Sequence, residues 1–187
     1  MDTRLNELRN QIGAIDRGIV AALAQRSRFH CPSRASPAPP AATSAVFDDD
    51  TLTARILAEY ARVVPEKLQT GNACANDMPA CAAADRAVVE AVRRRLRVVL
   101  EIARAKAAGQ TPHFRALVAA RDTAGIEQAI TLPAVEEQVV ARALTTAREL
   151  SAEGLPANFS DRVASVYRDW IIPLARRVQV EALLASR

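Results

Sequence analysis

The chain has 187 residues, half of them hydrophobic but only 4% aromatic, with 6 glycines and a formal charge of +4. So few glycines exclude a turn-rich β protein or a doubly wound sheet, and abundant Ala, Leu, Arg and Glu favour an all-α class. The mild basicity, pI about 9.4, suits an anionic ligand and nucleic acid equally.

The first helix is legible from Leu5, Leu8, Ile12, Ile15, Ile19, Ala22, Arg26 and Phe29, which step by three and four residues and form a heptad seam. Arg26 sits where an aliphatic residue is expected, and Pro32 is expected to end the helix. A Pro-, Ser- and Ala-rich linker follows, to about Ala45. Asp48-Asp49-Asp50 then offers acids to the start of a second helix near Thr51 to Val64, and the stretch from about Gln69 to Ala80 reads as loop. The longest helix is expected at about Ala82–Ala108, with Val92, Arg95, Val99, Ile102 and Lys106 in one seam. Short amphipathic pieces follow at about His113–Ala120 and Gly125–Ile130. Pro133 opens a helix to about Ser151 that carries Glu136, Val139, Ala143 and Leu150 on one face. A last helix, capped by Ser160-Asp161, points Val163, Val166, Trp170, Leu174 and Val178 inward, with Pro173 expected to kink it.

Several chemistries lack their residues. His30 and His113 form no HExxH and no paired CxxC exists, which argues against a zinc site; there is no glycine-rich phosphate loop. Cys74 and Cys81 flank a loop-like stretch and could bridge in an oxidising compartment or stay free thiols in the cytosol. No apolar run nears the ~20 residues that span a bilayer, so a cytoplasmic protein without membrane contact is the default expectation.

What remains is the set of inward cations. Arg95 and Lys106 are eleven residues apart, close to three full turns, so they project from one face about 16 Å apart along the axis. A cation left unpaired in a core costs several kcal/mol, so an internal acid, a watery cavity or an anionic ligand must compensate. A small dicarboxylate held between them would do so. Arg9 and Arg26 are seventeen apart, about 100° off one face, and need not serve the same site. The run Arg93 to Arg97 otherwise reads as a solvated face, or as a weak nucleic-acid footprint without interleaved aromatics.

These residues resemble the all-helical chorismate mutase family (AroQ class). Leu5-x-x-Leu8-Arg9-x-x-Ile12-x-x-Ile15-Asp16 followed by Leu23-x-x-Arg26 is similar to the family's opening helix. The family's second arginine has a lysine eleven residues on, but here that position is Pro37. The pattern reappears as Arg95 to Lys106, then Gly109-Gln-Thr-Pro112. Val135 to Val140 resembles the start of the family's second helix, and where the family has an acid and, three residues on, an arginine this chain has Thr131 and Ala134 or Leu132 and Val135. Val163 to Gln179 is similar to its third. The likeness suggests three regions: an N-terminal helix at 1–31, an insert of linker, short helix and loop at 32–81, and a helical core at 82–187.

The resemblance implies a helical bundle with long first and third helices that rearranges chorismate to prephenate without a cofactor or metal. It implies that Arg95 binds a substrate carboxylate, that Lys106 and Gln179 flank the ether oxygen, and that Glu136 contacts a ring hydroxyl. Arg9 resembles the arginine that family dimers lend across their interface, so a homodimer is implied, and Arg26 is an alternative occupant of Arg95's role. Two related activities share the scaffold, an isochorismate pyruvate-lyase and an aminodeoxychorismate mutase. A non-catalytic interaction or regulatory module descended from the family is a further reading.

Overall fold

Thr3–Ser27 forms α1, and Leu8, Ile12, Ile19, Ala22 and Arg26 of the heptad seam read from the sequence are buried in it. The computed structural model describes residues 3–29, 47–68, 78–108, 111–151 and 155–185. The Pro-rich linker, most of the stretch after Leu68, Cys31 and Cys74 therefore lie outside the described residues. Cys81 is buried and disulfide-bonded.

The remaining elements are α2 (Asp49–Leu68), α3 (Met78–Ala108), α4 (Pro112–Ala119), α5 (Thr123–Ile130), α6 (Pro133–Glu149), α7 (Phe159–Val166) and α8 (Ile172–Ala185). No strand occurs among the described residues. No helix among them is long and apolar enough to cross a membrane. The fold is all-α, with a long first helix and a longer third, as the sequence leads one to expect.

α1 lies along α3, and three ion pairs set the register: Arg26 with Asp85, Asp16 with Arg95, and Arg4 with Glu101. They run in opposite order along the two helices, so the pair is antiparallel. α2 begins about half a turn earlier and ends about a turn later than Thr51 to Val64. Asp48 starts it, its carboxylate accepting from the Thr51 N–H at 2.7 Å, a bond that holds this acid below its usual range. Leu52, Ile56, Tyr60, Val64 and Leu68 then bury one stripe against α3 and α7. Each fully buried aliphatic side chain of that stripe contributes about 1.5–3 kcal/mol.

α4 and α5 make a tight corner beside the bundle. Thr111 caps α4 ahead of Pro112, Arg121 adopts φ 54° after it, and Asp122 caps α5. Gly125 suits that corner, because a Cβ there would come within 2.5 Å of the capping side chain at Asp122 Oδ2 and force it to shift.

α7 and α8 are one continuous rod joined by a π-helical turn, Tyr167–Ile171. The chain widens just before Pro173, so the disturbance expected at that proline takes the form of a π turn one step upstream. The cap of α7 is Asn158 rather than Ser160-Asp161, which lie within its first turn. Phe159, Tyr167, Trp170 and Ile171 are fully buried, so this rod is the spine of the core.

Candidate functional site

A cleft of about 140 Å³ opens where α1, α3, α6 and α8 converge beside the end of α5. Its apolar wall includes Leu5, Ile12, Val99, Ile102, Val139 and Ile172. Its polar lining is Arg9 from α1, Arg95 and Lys106 from α3, Glu136 and Arg142 from α6, and Arg176 and Gln179 from α8. Five of the six residues expected to form a site thus share one cleft: Arg9, Arg95, Lys106, Glu136 and Gln179.

Arg26 does not line it. Arg26 is buried at the far end of the α1–α3 pair, about 25 Å along the helix from Arg9. Its Nε donates to Asp85, its Nη1 donates to the Phe29 carbonyl at 3.0 Å, and the Tyr60 hydroxyl donates to the same Asp85 carboxylate. Burial and that carboxylate push the Tyr60 phenol well up, so it stays a neutral donor. Of the two candidates for the carboxylate-binding role, Arg95 is in the cleft and Arg26 is in a structural network.

Arg9 lines the cleft of its own chain. The antiparallel packing of α1 on α3 within the chain brings its side chain there.

Arg95 is 4% exposed and Asp16 2%. Arg95 Nε donates to Asp16 Oδ1 at 2.9 Å, and the Tyr167 hydroxyl donates to the Asp16 carbonyl and to Oδ1, each at 3.2 Å. Arg95 Nη1 is buried without a hydrogen-bond partner, and so is Asp16 Oδ2. A buried guanidinium with an unused donor beside a cleft is one valence short of satisfaction, and an anion in the cleft would supply it. Burial, then the Asp16 charge, raises the Tyr167 phenol far above its ordinary range.

Lys106 has no carboxylate partner among the described residues. Its Nζ donates to the Ile130 carbonyl at 3.5 Å. Burial, then the neighbouring Arg9 charge, lowers its pKa below that of an ordinary lysine. Both effects oppose the charged form and both are relieved by an anion. Gln179 lines the same cleft, and its buried Oε1 has no partner. Its amide can therefore turn an N–H toward a ligand oxygen. Glu136 is gripped by Arg176, with Nε to Oε1 at 2.8 Å and Nη2 to Oε2 at 3.0 Å.

Arg142, Arg176, Asp16 and Tyr167 were not anticipated as parts of this site. The signal for two of them was present: Arg142 follows Val135 and Val139 at helical spacing, and Arg176 precedes Gln179 by one turn. Tyr167 and Asp16 meet only through tertiary packing, which no local period displays.

The fold and the cleft define a class: an all-helical protein with a small pocket lined by five cationic side chains and one carboxylate. The family profile of chorismate mutase type II matches residues 80–180, more than half of the chain, and the chain belongs to that family. Over 103 residues the chain is 34% identical to a chorismate mutase of Schizosaccharomyces pombe, a match covering 52% of this chain and 41% of that protein. Over 115 residues it is 34% identical to the chloroplastic chorismate mutase 1 of Petunia hybrida, covering 55% and 35%. The chain thus spans well under half the length of these two relatives. The fold is similar to the crystal structure of the Aro7p chorismate mutase of Candida albicans in complex with L-Trp. That likeness has a TM-score of 0.77 at 19% identity and covers 96% of this chain and 90% of that one.

Proposed function

We propose that the cleft binds chorismate and rearranges it to prephenate. The reaction is intramolecular: the ether C–O bond breaks as a new C–C bond forms, and negative charge grows on the ether oxygen. Protein groups need only hold the compact conformer and stabilise that charge. In this reading Arg95 Nη1 takes one substrate carboxylate, Arg9 the other, Lys106 and Gln179 donate to the ether oxygen, and Glu136 accepts from the ring hydroxyl. Arg142 adds positive potential. One observation carries the reading: the buried Arg95 has an unsatisfied donor in the same cleft as Lys106, which has no acidic partner among the described residues.

The test is to incubate the purified chain with chorismate and follow its loss and the products formed. Wild type is expected to form prephenate. Arg95→Ala and Lys106→Ala are both expected to slow the reaction, Lys106→Ala by about 100-fold or more, the usual loss for one donor to a developing oxyanion. Turnover unchanged in both variants would sink the assignment of roles.

Leu132 and Val135, 48% and 39% exposed, form an apolar rim beside Glu136. They replace two polar residues of the family pattern, which supports carrying isochorismate and aminodeoxychorismate through the same assay. A homodimer, the habit of the family, is tested by light scattering against the 20.2 kDa mass of one chain.

A further inference from the structure

Among the residues lining the cleft, five are cations and one is a carboxylate, Glu136. A lone mobile carboxylate in such company pairs with the least-satisfied cation, and that pairing would spoil a site for a dianion. We infer that Arg176 is a positioning residue: its fork holds Glu136 against α8 and so keeps that carboxylate from neutralising Lys106. The inference rests on the proposed function and adds to it the residue that keeps Lys106 available.

The geometry is specific to that task. The guanidinium edge meets both carboxylate oxygens, at 2.8 and 3.0 Å, the fork-on-fork arrangement that a lysine cannot reproduce. A third corner is fixed from α5, where Glu127 Oε1 accepts from Arg176 Nη1 at 3.4 Å. Arg176 is therefore engaged on two sides and has little left for a ligand. Glu136 is not exhausted: an ionised carboxylate offers about four lone-pair sites, and the fork takes two. The other two can accept from a ligand hydroxyl.

Lys106 bears the mark of the same arrangement. Its bond is to the Ile130 carbonyl, and the influences on its proton are burial and Arg9, with no carboxylate among them. Without Arg176, Glu136 is released into a cleft in which Lys106, Arg9 and Arg142 have no carboxylate partner among the described residues.

A double-mutant cycle with Arg176→Met and Glu136→Gln, assayed on chorismate, decides this. Arg176→Met is expected to lower kcat/KM about tenfold or more, mostly through KM, because the freed Glu136 competes with substrate for Lys106. In the Glu136→Gln background the same change is expected to matter less than about twofold, since no carboxylate remains to stray. Arg176→Lys, which keeps the charge without the fork, is expected to fall between Arg176→Met and wild type. Equal losses in both backgrounds would overturn the inference and make Arg176 a direct ligand contact or a fold support. No loss in Arg176→Met would overturn it too.

Should Arg176→Met fold poorly, the Arg176→Lys arm of the cycle decides by the same criterion. The Cδ resonance of Glu136 in protein labelled with 13C-glutamate gives a readout independent of turnover. It is expected to move on Arg176 substitution, and an unmoved resonance refutes the pairing. If wild type fails to convert chorismate, the proposed function falls, while this resonance still decides whether Arg176 holds Glu136.

Discussion

Replacing Arg95 by methionine is expected to damage stability as much as function. Arg95 and Asp16 are almost wholly buried and joined at 2.9 Å. The substitution leaves Asp16 as a buried charge with the Tyr167 hydroxyl as its remaining side-chain donor, at 3.2 Å. Breaking one half of a buried pair costs about 3–5 kcal/mol. At about 2–4 °C per kcal/mol for a chain of this size, Tm should fall by about 6–20 °C. Adding Asp16→Asn removes the stranded charge, and the double variant should recover at least half of the loss. Circular-dichroism melts at pH 7 in one buffer give both numbers. A Tm for Arg95→Met within about 2 °C of wild type, or a double variant no better than the single, would refute the reasoning. The same melts report binding: a dianion at a hundred times its Kd should add about 2.7 kcal/mol to wild type and far less to Arg95→Met.

Lys106→Met should abolish chorismate turnover yet raise Tm at pH 7, because it removes a cation that burial and Arg9 both disfavour. The sign follows from linkage. With the folded pKa below 10.5, the unfolded chain binds more protons between the two values, so wild-type stability rises with pH through that window and the gap to Lys106→Met closes. A lower Tm for the variant at pH 7 would contradict this. Gln179→Glu should retain activity only where the new carboxyl is protonated, so its rate should fall as pH rises from 4 through the carboxylate range while wild type does not follow it. A pH–rate profile flat in both would remove Gln179 from the ether oxygen. Gly18→Ala lies on the exposed face of α1 with nothing within 4 Å of the added Cβ. It should stabilise the chain by about 0.5–1 kcal/mol, seen as a small rise in Tm at unchanged turnover.

Much of the fold was legible because its helices are amphipathic with strong periods. The α1 and α3 seams, Pro133 at the head of α6 and the inward stripe from Val163 to Val178 all stand as the periodicity gives them. α2 was harder to weigh. Its length could be bounded, but not that Leu52, Ile56 and Tyr60 would enter the common core, because an amphipathic stripe does not say which surface it covers. In the site, Arg95 and Lys106 were visible because eleven residues return to one face. Arg26 has the same local signature as Arg95, a cation in an apolar seam, and what separates them is the identity of the neighbour across the helix pair. Asp85 with Tyr60 closes one network, whereas Asp16 leaves an arginine donor open to a cleft. Periodicity reports that a cation faces inward; only packing reports whether it is already satisfied there.

The wide turn at Tyr167–Ile171 makes the chain tolerant of a change of length at a place where no residue lines the cleft. Each residue of an ordinary helix advances about 100°, and each residue of a π turn advances less, because the turn holds one residue more. A single deletion that tightened the π turn into α-helix would therefore still close one full turn and leave everything after it facing nearly the same way. Arg176 and Gln179 would stay turned toward the cleft, and helical content would barely change. The same deletion in the ordinary helix between Ile172 and Arg176 would instead rotate both residues by nearly a third of a circle. In comparing this chain with its relatives, a one-residue gap inside the π segment is therefore one that the site can absorb, and a gap just after it is not.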